Sequence, residues 1–81
     1  MRSITDDRGR TWEAVALPTK VAHLRNGALL AFRLADEPGT EPVTAPIDFN
    51  SIDAAHLAIG TMSEKELRRR LEWAKTAAGI A

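Results

Sequence analysis

Apolar and polar residues alternate through the first third of the chain. From Arg10 to Leu17, Thr11, Glu13, Val15 and Leu17 fall on one side of an extended segment and Trp12, Ala14 and Ala16 on the other, which predicts a strand. Asp7-Arg8-Gly9 is a turn signal between that strand and Ile4-Thr5-Asp6, so a first hairpin is expected, with Pro18 closing its second strand. Asn26-Gly27 separates two further apolar runs, 21–25 and 28–34, and matches a two-residue turn whose central positions need positive φ. Counting outward pairs Arg25 with Ala28, Leu24 with Leu29 and His23 with Leu30. One face of this second hairpin then carries Val21, His23, Leu30, Phe32 and Leu34, and the other Ala22, Leu24, Leu29 and Ala31. The spacing of Val21, Leu24, Ala28 and Ala31 also suits a helix over 20–35. Gly27 in its middle, Lys20 at its positive end and Asp36-Glu37 at its negative end oppose that alternative.

The period changes in the second half. Residues 36–50 hold Pro38, Gly39, Pro42 and Pro46 and read as a loop. Asn50 or Ser51 then caps a short helix with Ile52, Ala55, His56 and Ile59 on one face and Gly60 at its left-handed C-terminal position. The last helix is the best-marked element. Ser63 and Glu66 form a capping box, Met62 and Leu67 occupy the positions of a hydrophobic staple, and Leu67, Leu71, Ala74 and Ala78 make the buried stripe of a helix over 64–78.

The expected architecture is α+β: a small antiparallel β-sheet of two hairpins followed by an αα-hairpin packed on it. All 81 residues form one domain, with β-hairpins over 1–35, a Pro-rich loop over 36–50 and two helices over 51–81. A domain this small buries only about 60 to 65% of the surface its unfolded chain exposes. Two short helices therefore have little apolar surface with which to cover a sheet.

Composition narrows the function classes. Eleven Lys plus Arg balance eleven Asp plus Glu, so no net basic field draws in nucleic acid or an anionic membrane. The absence of Cys removes disulfides, thiolate metal sites and thiol nucleophiles, and points to a reducing cytoplasm. No apolar run resembles a signal peptide or a membrane span. Eight Arg against three Lys, with Ala the commonest residue, is a usage typical of bacteria with GC-rich genomes.

The candidate chemistry is sparse. Arg68-Arg69-Arg70 invites a nucleic-acid reading, with Arg68, Arg69 and Lys75 as contacts on the last helix. Consecutive helical residues point about 100° apart. Glu64 can pair with Arg68 and Glu66 with Arg70, which leaves Arg69 to stack on Trp73. The helix pair over 52–71 is similar to a helix-turn-helix in its Gly turn, but His56 and Glu66 stand where that family has a small and an apolar residue. His23 and His56 have no second ligand at metal-binding spacing, and Asp53 beside His56 lacks a nucleophile, so no catalytic or metal residue is assigned. The five glycines are dispersed and form no phosphate loop, and Asp6-Asp7 lacks the later ligands of a calcium loop, so no cofactor is expected.

The opening D-x-x-G-R-x-W, Asp6 to Trp12, with the S-x-x-E-L helix start at Ser63 to Leu67, resembles short uncharacterised bacterial proteins. The resemblance implies no activity.

Trp12 and Trp73 are expected to anchor the core, Trp73 from the flank of its helix, where partial exposure suits an interface. Both faces of the second hairpin are apolar, and one of them must lack cover from the chain itself. Leu24, Leu29 and Trp73 are therefore the candidate interface residues, for a protein partner or a second copy in a homodimer. The sequence thus reads as a small, non-enzymatic protein-interaction or regulatory module; the alternative is a nucleic-acid-associated regulator using the basic C-terminal helix.

Overall fold

The computed structural model describes residues 2–21, 25–37 and 39–79. Strands β1 (Arg2–Thr5), β2 (Thr11–Val21), β3 (Arg25–Leu34) and β4 (Val43–Phe49) precede helices α1 (Ile52–Thr61) and α2 (Glu64–Ala77). The strands form one antiparallel meander in the order β1-β2-β3-β4. Both helices pack on the same face. Ile59, Leu67, Leu71 and Ala74 meet Ile4, Trp12, Ala14, Leu30, Phe32, Leu34, Val43 and Ala45 in a single core. Phe32, Leu30, Leu67 and Leu71 are its largest fully buried side chains, each contributing about 1.5 to 3 kcal/mol of burial. The fold is the expected α+β arrangement, an antiparallel sheet followed by two helices.

The first hairpin forms where the alternation placed it, with Ile4 opposite Trp12. Its second strand, however, runs through Pro18 to Val21 instead of ending there. The Thr11 carbonyl accepts from the Ala35 amide at 3.0 Å and the Arg10 carbonyl from the Asp6 amide at 2.9 Å, so odd residues of β2 direct their backbone groups to β3 and even ones to β1. Pro18 is even, and β1 extends only as far as Arg2, opposite Ala14. The missing N–H of Pro18 therefore falls on an open edge and costs no ladder bond.

The register of the second hairpin differs from the one expected around Asn26-Gly27. Val21 stands opposite Arg25, Lys20 opposite Asn26, Leu17 opposite Leu29 and Trp12 opposite Leu34, so Asn26 and Gly27 lie inside β3. The expected pairings of Ala22, His23 and Leu24 lie outside the described residues. The longer ladder pairs more backbone groups than an Asn-Gly turn would permit. It also sets Leu30, Phe32 and Leu34 beside Ala16, Ala14 and Trp12 on the helix-covered face.

The loop expected over 36–50 is shorter, because Val43–Phe49 forms β4. Val43, Ala45, Ile47 and Phe49 keep strand alternation and pack on the core. Proline is tolerated because β4 is an edge strand and Pro46 sits in a bulge: Asp48 pairs with Leu29 and Thr44 with Ala31, so residues 45–47 oppose Leu30 alone. Two extra residues preserve the side-chain parity, and the core face is unbroken.

Ser51 caps α1, its Oγ accepting from the Ala54 amide at 3.0 Å. Ala55 and Ile59 are buried, while His56, expected on their face, is exposed. Gly60 does not end the helix in a left-handed conformation; it lies inside α1, whose last turn is held by Thr61 Oγ1 donating to Leu57 O at 2.9 Å and by Arg2 donating to the Ile59 and Met62 carbonyls. In α2, Ser63 Oγ accepts from the Glu66 amide at 3.1 Å, but the Glu66 carboxylate turns to Arg70 and only half of the capping box forms. The stripe Leu67, Leu71 and Ala74 is buried as expected; Ala78 is exposed beyond the helix end.

Candidate functional site

Most of the D-x-x-G-R-x-W opening has a structural explanation. Asp6 Oδ1 accepts from the Arg8 and Arg10 amides, both at 2.9 Å, and Gly9 supplies the left-handed residue of the turn at φ 79°. Trp12 Nε1 donates to Asp6 Oδ2 at 2.9 Å, which satisfies the indole of the buried Trp and ties the turn to the core. Arg10 covers the Trp12 ring at 5.8 Å and reaches Glu37 at 3.8 Å. Asp7, read from the sequence as the turn residue, is exposed, and Asp6 is the acceptor that organises the turn.

Lys75 completes this network from the far end of the chain. Its Nζ lies 3.3 Å from Asp6 Oδ2, 3.4 Å from Glu72 Oε2 and 3.9 Å from Asp7 Oδ1, and the residue is 3% exposed. Burial on its own would push the Asp6 carboxyl up, but the donors from Trp12, Arg10, Arg8 and Lys75 outweigh it and hold the group well below the usual carboxylate range. A carboxylate saturated in this way is a lock between α2 and the first turn, with no free lone pair for proton transfer.

The nucleic-acid candidates do not converge on one surface. Lys75 is withdrawn into the Asp6 pair, and Arg68 binds Glu64 at 3.0 Å. Arg70 binds Glu66 at 3.0 Å. Arg69 lies 4.9 Å from the Trp73 ring and Arg70 lies 5.1 Å from it, so the 42% exposed indole is flanked by guanidinium groups. The expected stacking on Arg69 is present; the expected role of Trp73 as a core anchor is not, since it projects from the outer side of α2.

The most exposed large apolar side chains among the described residues are Leu57 on α1 and Trp73 on α2, and the sheet face turned away from the core carries apolar residues that are only partly covered. In register across β2 and β3 it carries three rows: Glu13 opposite Arg33, Val15 opposite Ala31, and Leu17 opposite Leu29. Val15, Leu17 and Leu29 remain partly exposed and outside the core cluster, whereas Ala31 between them is fully buried. Arg33 Nη2 donates to Glu13 Oε1 at 3.2 Å, while Arg33 Nε has no acceptor among the described residues. Of the candidate interface residues, Leu29 is at the centre of this face, Trp73 is on the opposite side of the molecule, and Leu24 lies outside the described residues. Leu17 and Val15 are members that the expected Asn-Gly register paired with nothing.

A shallow groove opens where β2 outruns β1, lined by Ala14, Ala16, Leu17, His56 and Ile59. Its two arginines are engaged, Arg2 with the carbonyls at the end of α1 and Arg33 with Glu13. His56 has no nucleophile or second ligand in that lining, and no group of three or more acidic or His side chains among the described residues is placed to hold a metal ion. No helix among the described residues is long and apolar enough to cross a membrane. No family model matches the chain, and no curated protein and no solved structure matches it significantly.

Proposed function

We propose that the chain is a small protein-interaction or regulatory module without chemistry of its own, acting in a bacterial cytoplasm, and that the open face of β2 and β3 is its contact surface. One observation carries the reading: Val15, Leu17 and Leu29, in register around the fully buried Ala31, form a partly exposed apolar strip on the sheet face turned away from the core. Aliphatic side chains on a sheet face gain roughly 25 cal/mol for each Å² withdrawn from water, which a partner supplies where the chain does not. The flanking Glu13–Arg33 pair gives the strip a polar rim at one end, the arrangement common to protein interfaces. The saturated Asp6 network and the engaged arginines of the groove add no competing catalytic constellation.

A photo-crosslinking side chain at Leu17 or Leu29, compared with one at Lys65 on the exposed side of α2, tests the reading in cells that make the protein. Adducts from the sheet positions and none from Lys65 are expected. Equal yields, or adducts from Lys65 alone, would contradict it.

A further inference from the structure

We infer that the occupant of the open face is a second copy of this chain, related by a two-fold axis that runs parallel to the strands between β2 and β3. This rests on the reading of that face as the contact surface. Charge complementarity in the observed register supplies the argument. Rotation about such an axis lays β2 of one copy over β3 of the other, so Glu13 faces the second copy's Arg33 and Arg33 faces its Glu13. The two cross-strand pairs then close into a ring of four alternating charges. In the same operation Leu17 meets Leu29, and Val15 comes to lie over the row of the fully buried Ala31. Sheets packed face to face lie about 10 Å apart and within about 30° of alignment, a separation that Glu and Arg side chains span from opposite sides. Arg33 engages Nη2 with Glu13 and its Nε is buried, so Nη1 is the donor that would meet a second carboxylate.

The sheet edges do not offer an equal alternative. Pro18 removes a donor from the open stretch of β2, and the Pro46 bulge bends β4, both of which hinder strand addition. Association is thereby directed to the face.

The test mixes wild type with the isotope-labelled double variant Glu13→Arg, Arg33→Glu and counts species by native mass spectrometry. Each protein keeps its internal cross-strand pair, so folding is not at stake. Each should form its own homodimer. The mixed dimer sets carboxylate against carboxylate and guanidinium against guanidinium across the axis, and it should fall about tenfold or more below its statistical share. Statistical mixing would overturn the axis. Monomers throughout would overturn the second copy as occupant, while crosslinks from Leu17 or Leu29 to a different protein would still uphold the contact surface itself.

Discussion

Lys75 Nζ sits 3.3 Å from the Asp6 carboxylate across 69 positions of sequence, both side chains almost fully buried, and this pair fastens the last helix to the first turn of the sheet. Removing Asp6 leaves a buried ammonium and the N–H donors of Arg8, Arg10 and Trp12 without their acceptor. Asp6→Ala should therefore cost about 3 to 5 kcal/mol in a denaturant titration. Lys75→Met should cost less, because Asp6 keeps its bonds from Trp12, Arg8 and Arg10.

The same carboxylate fixes an acid dependence. Its folded pKa is depressed below the value of about 3.9 for an unfolded Asp, so the unfolded chain binds the proton more readily and stability falls as pH falls. The Asp6 contribution should be complete at pH 5 and above and should decline from about pH 4 downward. Urea midpoints measured from pH 5 to pH 2 should drop more steeply for wild type than for Asp6→Asn; parallel slopes would show that the carboxylate is not held as described.

Ser63→Ala should cost about 1 kcal/mol by removing the acceptor for the Glu66 amide. Leu71→Ala should cost roughly 2 to 4 kcal/mol through a cavity beneath α2. Negligible losses from both in chemical denaturation would mean that the helix is not docked.

Pro18→Ala separates the two possible orientations of that residue in β2. With the nitrogen on the open edge, alanine gains no ladder bond and the variant should lose about 0.4 to 1 kcal/mol through the freer unfolded chain. It should also show more concentration-dependent aggregation by light scattering, since the edge acquires a donor. A more stable variant would place the nitrogen toward β3.

Arg69→Glu should leave retention on DNA or RNA columns unchanged and alter stability by no more than about 0.5 kcal/mol. Its exposed stacking on Trp73 is weak, and neither Lys75 nor Arg68 stands free beside it. A salt-dependent loss of nucleic-acid binding in this variant would favour the regulator that reads nucleic acid.

Local chemistry made much of the fold legible. The Ser63 cap, the stripe of Leu67, Leu71 and Ala74, the first hairpin and the i, i+4 pairs of α2 each follow from residues within a few positions of one another. What escaped depends on partners far away in sequence. Asn26-Gly27 has turn chemistry, but the ladder from Trp12 to Val21 outweighs it, and only the pairing of two whole strands reveals that. Pro42 and Pro46 mask β4, because a bulge on an edge strand absorbs a proline that a central strand would reject. Lys75 sits among charged residues of an apparently solvated helix face, and nothing nearby in sequence announces a carboxylate in the first turn. For the candidate surface, Leu29 and the excess of apolar sheet were readable; Leu17 and Val15 needed the true register.

Light scattering after size exclusion, on wild type and Leu29→Lys over a rising concentration series, tests most directly whether a second copy covers the open face. Leu29 stands opposite Leu17 at its centre, so a buried Lys there would break the contact while the helix-covered core is untouched. The expected result is a wild-type mass that climbs toward twice that of one chain, and a variant that stays at the mass of one chain with an unchanged circular dichroism spectrum. A wild type that remains at single-chain mass into the high micromolar range, indistinguishable from Leu29→Lys, would contradict it.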